Sequence, residues 1–357
     1  MNSKKKLFIP CLLPYPQDTV PGQRFRWEQW EKILRKKNIF LIKIFFSDSL
    51  FIKFKNDKNI FILVYYIYLY LRFFLITLFN CKHNKFLIFR NCTIVGPPIV
   101  EFFLKLIGKK IVFDFDDAIH FGSENSNSWF FSNFIRCDWK IKLIIKFSNL
   151  VIAGNKELKK YALKYNKKVQ IIPTTIDINL YKQKKKLNKK QLIVGWSGSV
   201  STSKYIENFL PVLIKIQKKS NFKILIIGSK LNINNSHIKC LAWSSKHEIQ
   251  NLKKIDIGLM PLPNNVWTKG KCGLKILQYL SLGVPSLVSN VGINSEIITN
   301  RKNGFLINNN KDWEIYLKKL INDQSLVLKM GINGRQTVVK HFSSISIINL
   351  LSSSLRF

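Results

Sequence analysis

Apolar and polar positions follow two rhythms along this chain, and they take turns. Apolar runs of strand length stand at residues 7–13, 39–46, 86–89, 110–115, 150–153 and 169–172. Helix-period segments lie between them at 24–37, 98–107, 129–147 and 156–165. Short apolar runs alternating with amphipathic helices specify a parallel sheet with helices on its faces. Residues 178–190, rich in Lys, Gln, Asn and Tyr, break the pattern and read as a linker. The rhythm then restarts, with strands at 192–196, 222–228, 238–242, 255–261 and 284–289 and helices at 205–218, 248–254 and 274–282. Segments 313–320, 326–340 and 345–355 are helical. The predicted fold is α/β, with two doubly wound, Rossmann-like domains at 1–177 and 191–340. A last segment, 341–357, carries a helix expected to cross back onto the first domain. Doubly wound sheets bind ligands at the carboxyl ends of their strands, so two such domains imply a cleft between them.

Two apolar stretches need separate treatment. Residues 60–79 are long enough to span a bilayer and hold a single charge, Arg72. Their tyrosines and their place between two strands favour a buried or interfacial helix over a span. The run 7–13 behind Lys4–Lys6 is short, is broken by Pro10 and lacks a small-residue cleavage site, so it reads as the first strand and not a leader.

Composition changes this picture in three places. A length of 357 residues with 46% hydrophobic content indicates a globular chain of two domains. A net charge of +38 invites nucleic-acid binding. The surplus, however, is lysine spread through every segment beside Asn, Ile and Phe, all residues of A/T-rich codons, which points to compositional bias. A nucleic-acid partner is therefore not expected, whereas an anionic membrane surface suits such a face. The six cysteines, at 11, 81, 92, 137, 240 and 272, are scattered and form no Cys-x-x-Cys pair. That argues against structural zinc and a disulfide framework and favours a cytoplasmic setting.

Candidate chemistry gathers in three segments. Lys269, Lys271 and Lys275 surround a helix that Gly273 helps to open, where unpaired N–H groups and the helix dipole attract an anion. Lysines at 271 and 275 are spaced to share one helix face; a solvated basic helix end is the alternative. Asp114-Phe115-Asp116-Asp117 closes a strand, with His120 close behind. Its carboxylates suit a proton, a divalent cation or the cap of the next helix. In the loop 14–27, Gly22 permits close backbone approach to a ligand, and Gln23, Arg24 and Arg26 offer donors to it or to a phosphate, Arg24 above all; helix-start solvation is the alternative for one of the two arginines.

Gly270-Lys271-Cys272-Gly273-Leu274-Lys275, Gln278-Tyr279 and Gly283-Val284-Pro285 resemble the GT-B glycosyltransferases of retaining family 4. The resemblance is to a variant subgroup in which Gly-Lys-Cys-Gly-x-Lys-x-x-Gln-Tyr replaces the common Glu-x7-Glu pattern. Asp114–Ala118, Ile255–Leu262 and Gly292–Glu296 are further landmarks in the subgroup's order, and the likeness covers nearly the whole chain. It implies a retaining, metal-independent transferase that moves a sugar from a nucleotide-diphosphate sugar to a glycan or lipid-linked glycan. Envelope polysaccharide or lipopolysaccharide synthesis on the inner face of the cytoplasmic membrane is the expected setting. No cofactor is implied beyond the donor itself.

By this resemblance Gly198, Ser199, Lys204, Lys271, Gly273, Lys275 and Gln278 hold the donor, with solvated helix positions the alternative for Lys275 and Gln278, and Trp243 is placed to stack on the base or to pack in the core. Ser199 stands where the family has an arginine, which leaves Lys271 and Lys275 to supply the charge. Asp116, Asp117 and His120 are the catalytic candidates, and Gly22, Gln23 and Arg24 form the acceptor lip. The missing Glu pair and Arg leave an inactive nucleotide-sugar or glycan-binding protein as the alternative.

Overall fold

The computed structural model describes residues 5–54, 60–121, 133, 136–184, 187, 191–231 and 235–357. It divides into two compact units, one of Met1–Thr174, Gly270–Cys272 and Ile347–Phe357, the other of Thr175–Lys269 and Gly273–Ser346. The expected linker thus falls within the second unit.

In the first unit, β1 (Leu7–Leu13), β2 (Ile39–Phe45), β3 (Lys85–Phe89), β4 (Lys110–Phe115), β5 (Leu150–Ala153) and β6 (Val169–Ile171) form one sheet. All pair in parallel, in the order β2-β1-β3-β4-β5-β6. Sequence order reverses between β1 and β3, so the loops leaving these strands diverge and open a crevice at their carboxyl ends. Helices Ile60–Phe79, Ile99–Leu106, Lys140–Phe147 and Lys156–Ala162 cover one face through Phe73, Leu104, Ile144 and Leu158. Helices Gln29–Arg35 and Ile348–Arg356 cover the other through Trp30, Leu34, Leu351 and Leu355. The last helix therefore belongs to the first unit. The helix expected over 129–147 is seen as Lys140–Phe147; residues 129–132, 134 and 135 lie outside the described residues.

The second sheet joins β7 (Leu192–Ser197), β8 (Phe222–Ile227), β9 (Ile238–Leu241), β10 (Ile257–Met260), β11 (Ser286–Ser289) and β12 (Gly304–Ile307) in the order β12-β11-β10-β7-β8-β9, again all parallel. Its reversal lies between β7 and β10. The edge strand β12 was not among the expected strands; its four residues pair with β11. Buried Asp256 precedes β10, pairs with Lys184 and accepts the amide of Ile193 at 2.8 Å, which fixes the start of β7. Arg335 donates to the carbonyls of Ile178, Tyr181 and Ser281, tying the segment after Thr175 to the end of helix Leu274–Ser281.

Candidate active site

The crevice of the first unit is built at the ends of β1, β3, β4 and β5. A helical stretch begins at Pro21, widens into a π turn over Arg24–Glu28 and continues as Gln29–Arg35. The wider turn lets consecutive residues Arg26 and Trp27 both face inward. Arg26 donates to both carboxylate oxygens of Asp114, at 2.8 and 2.5 Å, and Trp27 Nε1 donates to the same group at 2.6 Å. Arg26 and Asp114 are fully buried. Burial opposes the Arg26 charge, but Asp114 more than offsets it and holds the guanidinium above its ordinary pKa. Burial also pushes the Asp114 carboxyl up. Arg26 is thus a structural tie, neither the expected donor to a ligand nor a solvated helix-start residue. Asp114, saturated by three donors, has no place in a metal pair with Asp116.

Asp116 points elsewhere. Its Oδ1 accepts from Arg90 Nε at 2.6 Å, and Gly22 lies against the pair, since a Cβ there would strike the Arg90 guanidinium. Arg90 follows β3 directly and lies in the left-handed region, with φ 51°. Burial opposes its charge as well, yet Asp116 and Asp117 together keep it above the ordinary arginine range. Arg90 is a site residue that the sequence reading missed. The only local signal was a basic residue directly after a buried strand.

Asp117 is half-buried, bonds the amide of Ala118 at 3.1 Å and faces Lys271 Nζ at 3.9 Å. Lys271 is held here because its carbonyl accepts from Asn155 Nδ2 at 2.9 Å, while Asn155 Oδ1 caps helix Lys156–Ala162. Cys272 packs against Gly154, where a Cβ would meet its sulfur. Burial pushes the Cys272 thiol well up, so it is a small apolar filler.

His120 stacks on Tyr161 with ring centroids 3.6 Å apart, and its Nδ1 has no hydrogen-bond partner among the described residues. Burial lowers its pKa to about 4. The ring is neutral at physiological pH, able to accept at one nitrogen and donate at the other. An NMR titration, assigned with His120→Gln among the five histidines, is expected to show a midpoint near 4. The unfolded chain binds more protons between pH 6.5 and about 4, so this contribution to stability is complete above 6.5 and is lost as pH falls through that window. A midpoint near 6.5 would contradict the stacked, half-buried ring.

Gln23 does not serve as the expected ligand donor. It is fully buried, accepts from the amide of Tyr15 and donates to the Tyr15 carbonyl at 2.8 Å and to Glu28 at 2.7 Å. It fixes the loop that carries Gly22. Arg24 pairs with Asp18 at 2.7 Å.

In the second unit, a separate cluster of candidate residues is built from β7 and the helix Leu274–Ser281. Tyr279 is fully buried and its hydroxyl accepts the amide of Ser197 at 2.7 Å, pinning the end of β7 to the helix. One turn earlier on the same helix, Lys275 reaches the turn that follows β7. Its Nζ stands 4.3 Å from the Trp196 ring centroid and 3.3 Å from Thr202 Oγ1. Gly198 makes room for it, because a Cβ there would meet the Trp196 ring and lie 2.8 Å from Nζ. Ser199 is exposed and closes a capping box with Thr202, while Lys204 Nζ lies 5.7 Å from the Tyr205 ring. The hydroxyls of Ser199 and Thr202 and the Lys275 ammonium gather at one turn, an arrangement suited to an anion.

Lys271 does not share the Lys275 helix face. Gly273 adopts φ 67° and the helix begins only at Leu274, so Lys271 precedes it and packs with the first unit. Gln278 is buried, its Nε2 donating to the Tyr181 hydroxyl at 2.9 Å. Tyr181 donates to Glu248, whose other oxygen accepts from Trp243 Nε1 at 3.1 Å. Gln278 and the half-buried Trp243 are thus linked through two residues that the sequence reading did not single out.

Residues 177–337 match the family described as Glycosyl transferases group 1. No curated protein matches the chain in sequence. Among solved structures, sucrose-phosphate synthase from Thermosynechococcus elongatus superposes with a TM-score of 0.71 at 12% identity, over 99% of this chain and 98% of that one. Anabaena HepE in complex with UDP and glucose gives 0.69 at 13% identity, covering 98% and 99%. The lipopolysaccharide outer core galactosyltransferase WaaB, in its apo form, gives 0.64 at 11%, covering 98% and 99%. Two six-stranded parallel sheets with flanking helices, superposing over nearly the full length of these solved structures, make the fold GT-B, and residues 177–337 of it match the glycosyl transferases group 1 model.

Proposed function

We propose that this protein is a retaining, metal-independent glycosyltransferase that takes a sugar from a nucleotide-diphosphate donor and passes it to a glycan or lipid-linked glycan. Its setting is envelope polysaccharide or lipopolysaccharide assembly at the inner face of the cytoplasmic membrane. The observation that carries the donor assignment is the Lys275 ammonium, held over Trp196 beside the Gly198 turn. As the glycosidic bond breaks, charge builds on the departing diphosphate, and a cation already fixed at its oxygens stabilises that state more than the ground state. Structures of HepE with UDP-glucose and of the galactosyltransferase WaaB support a nucleotide sugar and an envelope glycan as the reactants.

The first unit contributes Asp116, oriented by Arg90, and Asp117 beside Lys271 as acceptors for sugar or acceptor hydroxyls. Retention needs no enzyme nucleophile if the leaving phosphate takes the acceptor proton. Saturation of Asp114 by Arg26 and Trp27 supports the metal-free reading, since it removes one half of the Asp-x-Asp pair.

A thermal-shift screen of UDP, GDP, ADP, CMP and dTDP sugars is expected to single out one donor; at a hundredfold excess over Kd it adds about 2.7 kcal/mol of stability. Turnover of that donor should continue in chelator. A requirement for manganese would overturn the metal-free reading. Binding without turnover of any donor would favour a nucleotide-sugar-binding protein, a reading to which the exposed Ser199 in the arginine's place lends some weight.

A further inference from the structure

Helix Ile60–Phe79 is apolar on every side, yet only one side of it is covered. Leu69, Phe73 and Thr77 are fully buried against the sheet. Phe61, Val64, Tyr68, Leu71, Leu75 and Phe79 recur at spacings of three and four and are each more than half exposed. They form one outward stripe, whereas a helix that is hydrophobic all round is ordinarily enclosed. The helix's single charge is not on that stripe, because Arg72 turns back to the carbonyls of Phe45 and Phe46.

The uncovered surface continues onto the neighbouring helices. Phe74 packs on Phe103 at 5.1 Å and Phe102 on Phe147 at 5.9 Å, so Ile60–Phe79, Ile99–Leu106 and Lys140–Phe147 form one layer. Phe102 and Leu106 extend the exposed apolar area. Lys105, Lys142 and Lys146 are exposed on the same layer. From residue 60 to 113 the only carboxylate is Glu101, and it is fully buried. An apolar surface of this extent marks an interaction site, and the exposed lysines beside it favour an anionic partner.

We propose that this three-helix layer is the docking surface for a bilayer carrying anionic lipid headgroups. The helix Ile60–Phe79 lies in the plane of the membrane, its outward stripe among the upper acyl chains, and the lysines contact the headgroups. Among the described residues no helix is long and apolar enough to cross a membrane, in keeping with a helix that lies on one. This deepens the membrane setting proposed above and rests on that reading for its biological context; the surface itself is defined by the first unit alone.

The test is flotation with vesicles of phosphatidylcholine alone and with about one third phosphatidylglycerol. The natural chain is expected to float with the anionic vesicles. Val64→Glu/Leu71→Glu/Leu75→Glu should reduce the bound fraction at least about tenfold, and Lys105→Glu/Lys142→Glu/Lys146→Glu should do the same, with circular dichroism and Tm retained. No flotation of the natural chain, or undiminished flotation of the apolar-stripe variant, would overturn the proposal. So would self-association abolished by the stripe variant without vesicle binding, which would give the face to a second copy. Donor binding measured on the same preparations separates the two readings. Nucleotide-sugar stabilisation without flotation removes only the docking surface; flotation without donor stabilisation or turnover removes only the transferase assignment.

Discussion

Lys275→Ala is expected to lower kcat/KM for the donor by about 10²–10³, the scale of removing one fixed charge-stabilising group from a transition state. The geometry that justifies so large an effect is the restraint on the ammonium. Trp196 lies under it, Thr202 beside it and Gly198 leaves the space in front. A cation already in place needs no reorganisation as charge develops on the leaving diphosphate. Stability should change far less, because the lost cation–π contact is worth about 0.5–2 kcal/mol. Steady-state kinetics and a Tm measurement on the same variant separate the two effects. Ser199→Arg in the Lys275→Ala background should recover part of the lost activity, since it restores a cation to the turn from the position the common family version uses. Kinetics unchanged by Lys275→Ala would remove the donor assignment.

Arg26→Ala is expected to destabilise the first unit by about 3–5 kcal/mol, the usual consequence of removing one partner from a buried ion pair. Asp114 would be left fully buried with Trp27 Nε1 as its remaining side-chain donor, and burial already pushes its pKa up. The variant's Asp114 should therefore take up a proton at higher pH than in the natural chain. Arg26→Met/Asp114→Leu should recover most of the loss, because the pair's cost of desolvation disappears along with its attraction. Urea unfolding of the three proteins, followed by tryptophan fluorescence, reads this directly, since Trp27 and Trp30 sit in the affected core. An Arg26→Ala protein as stable as the natural one would contradict the buried pair.

The strand and helix order could be read from the sequence because eleven of the twelve strands among the described residues fall in short, mainly apolar runs, which depend on no distant partner. β12 was missed because Asn303-Gly304 is a strong turn signal, and the strand after it is only four residues long at the sheet's edge. The Gly198 turn and Lys275 were legible for a similar reason, since a glycine turn after a strand and a lysine in a first helical turn are local patterns. Arg26 and Asp114 lie 88 positions apart, and Arg90 and Asp116 lie 26 apart. No local pattern decides which arginine is drawn into the core and which reaches the site. Lys271 was misplaced by counting helical spacing through Gly273, whose left-handed backbone interrupts the helix.

The bond from the Ser197 amide to Tyr279 separates where the Gly198 turn is from what it is made of. Strand β7 and the helix share one buried anchor, so the turn's path is set from below and its outward side chains bear little of the burden of holding shape. A cation can then be contributed from the loop or from the helix without rebuilding the sheet. Such an architecture tolerates exchange of its charged parts while its scaffold stays constant, and in this chain that division allows a serine to occupy position 199 beside a lysine at 275.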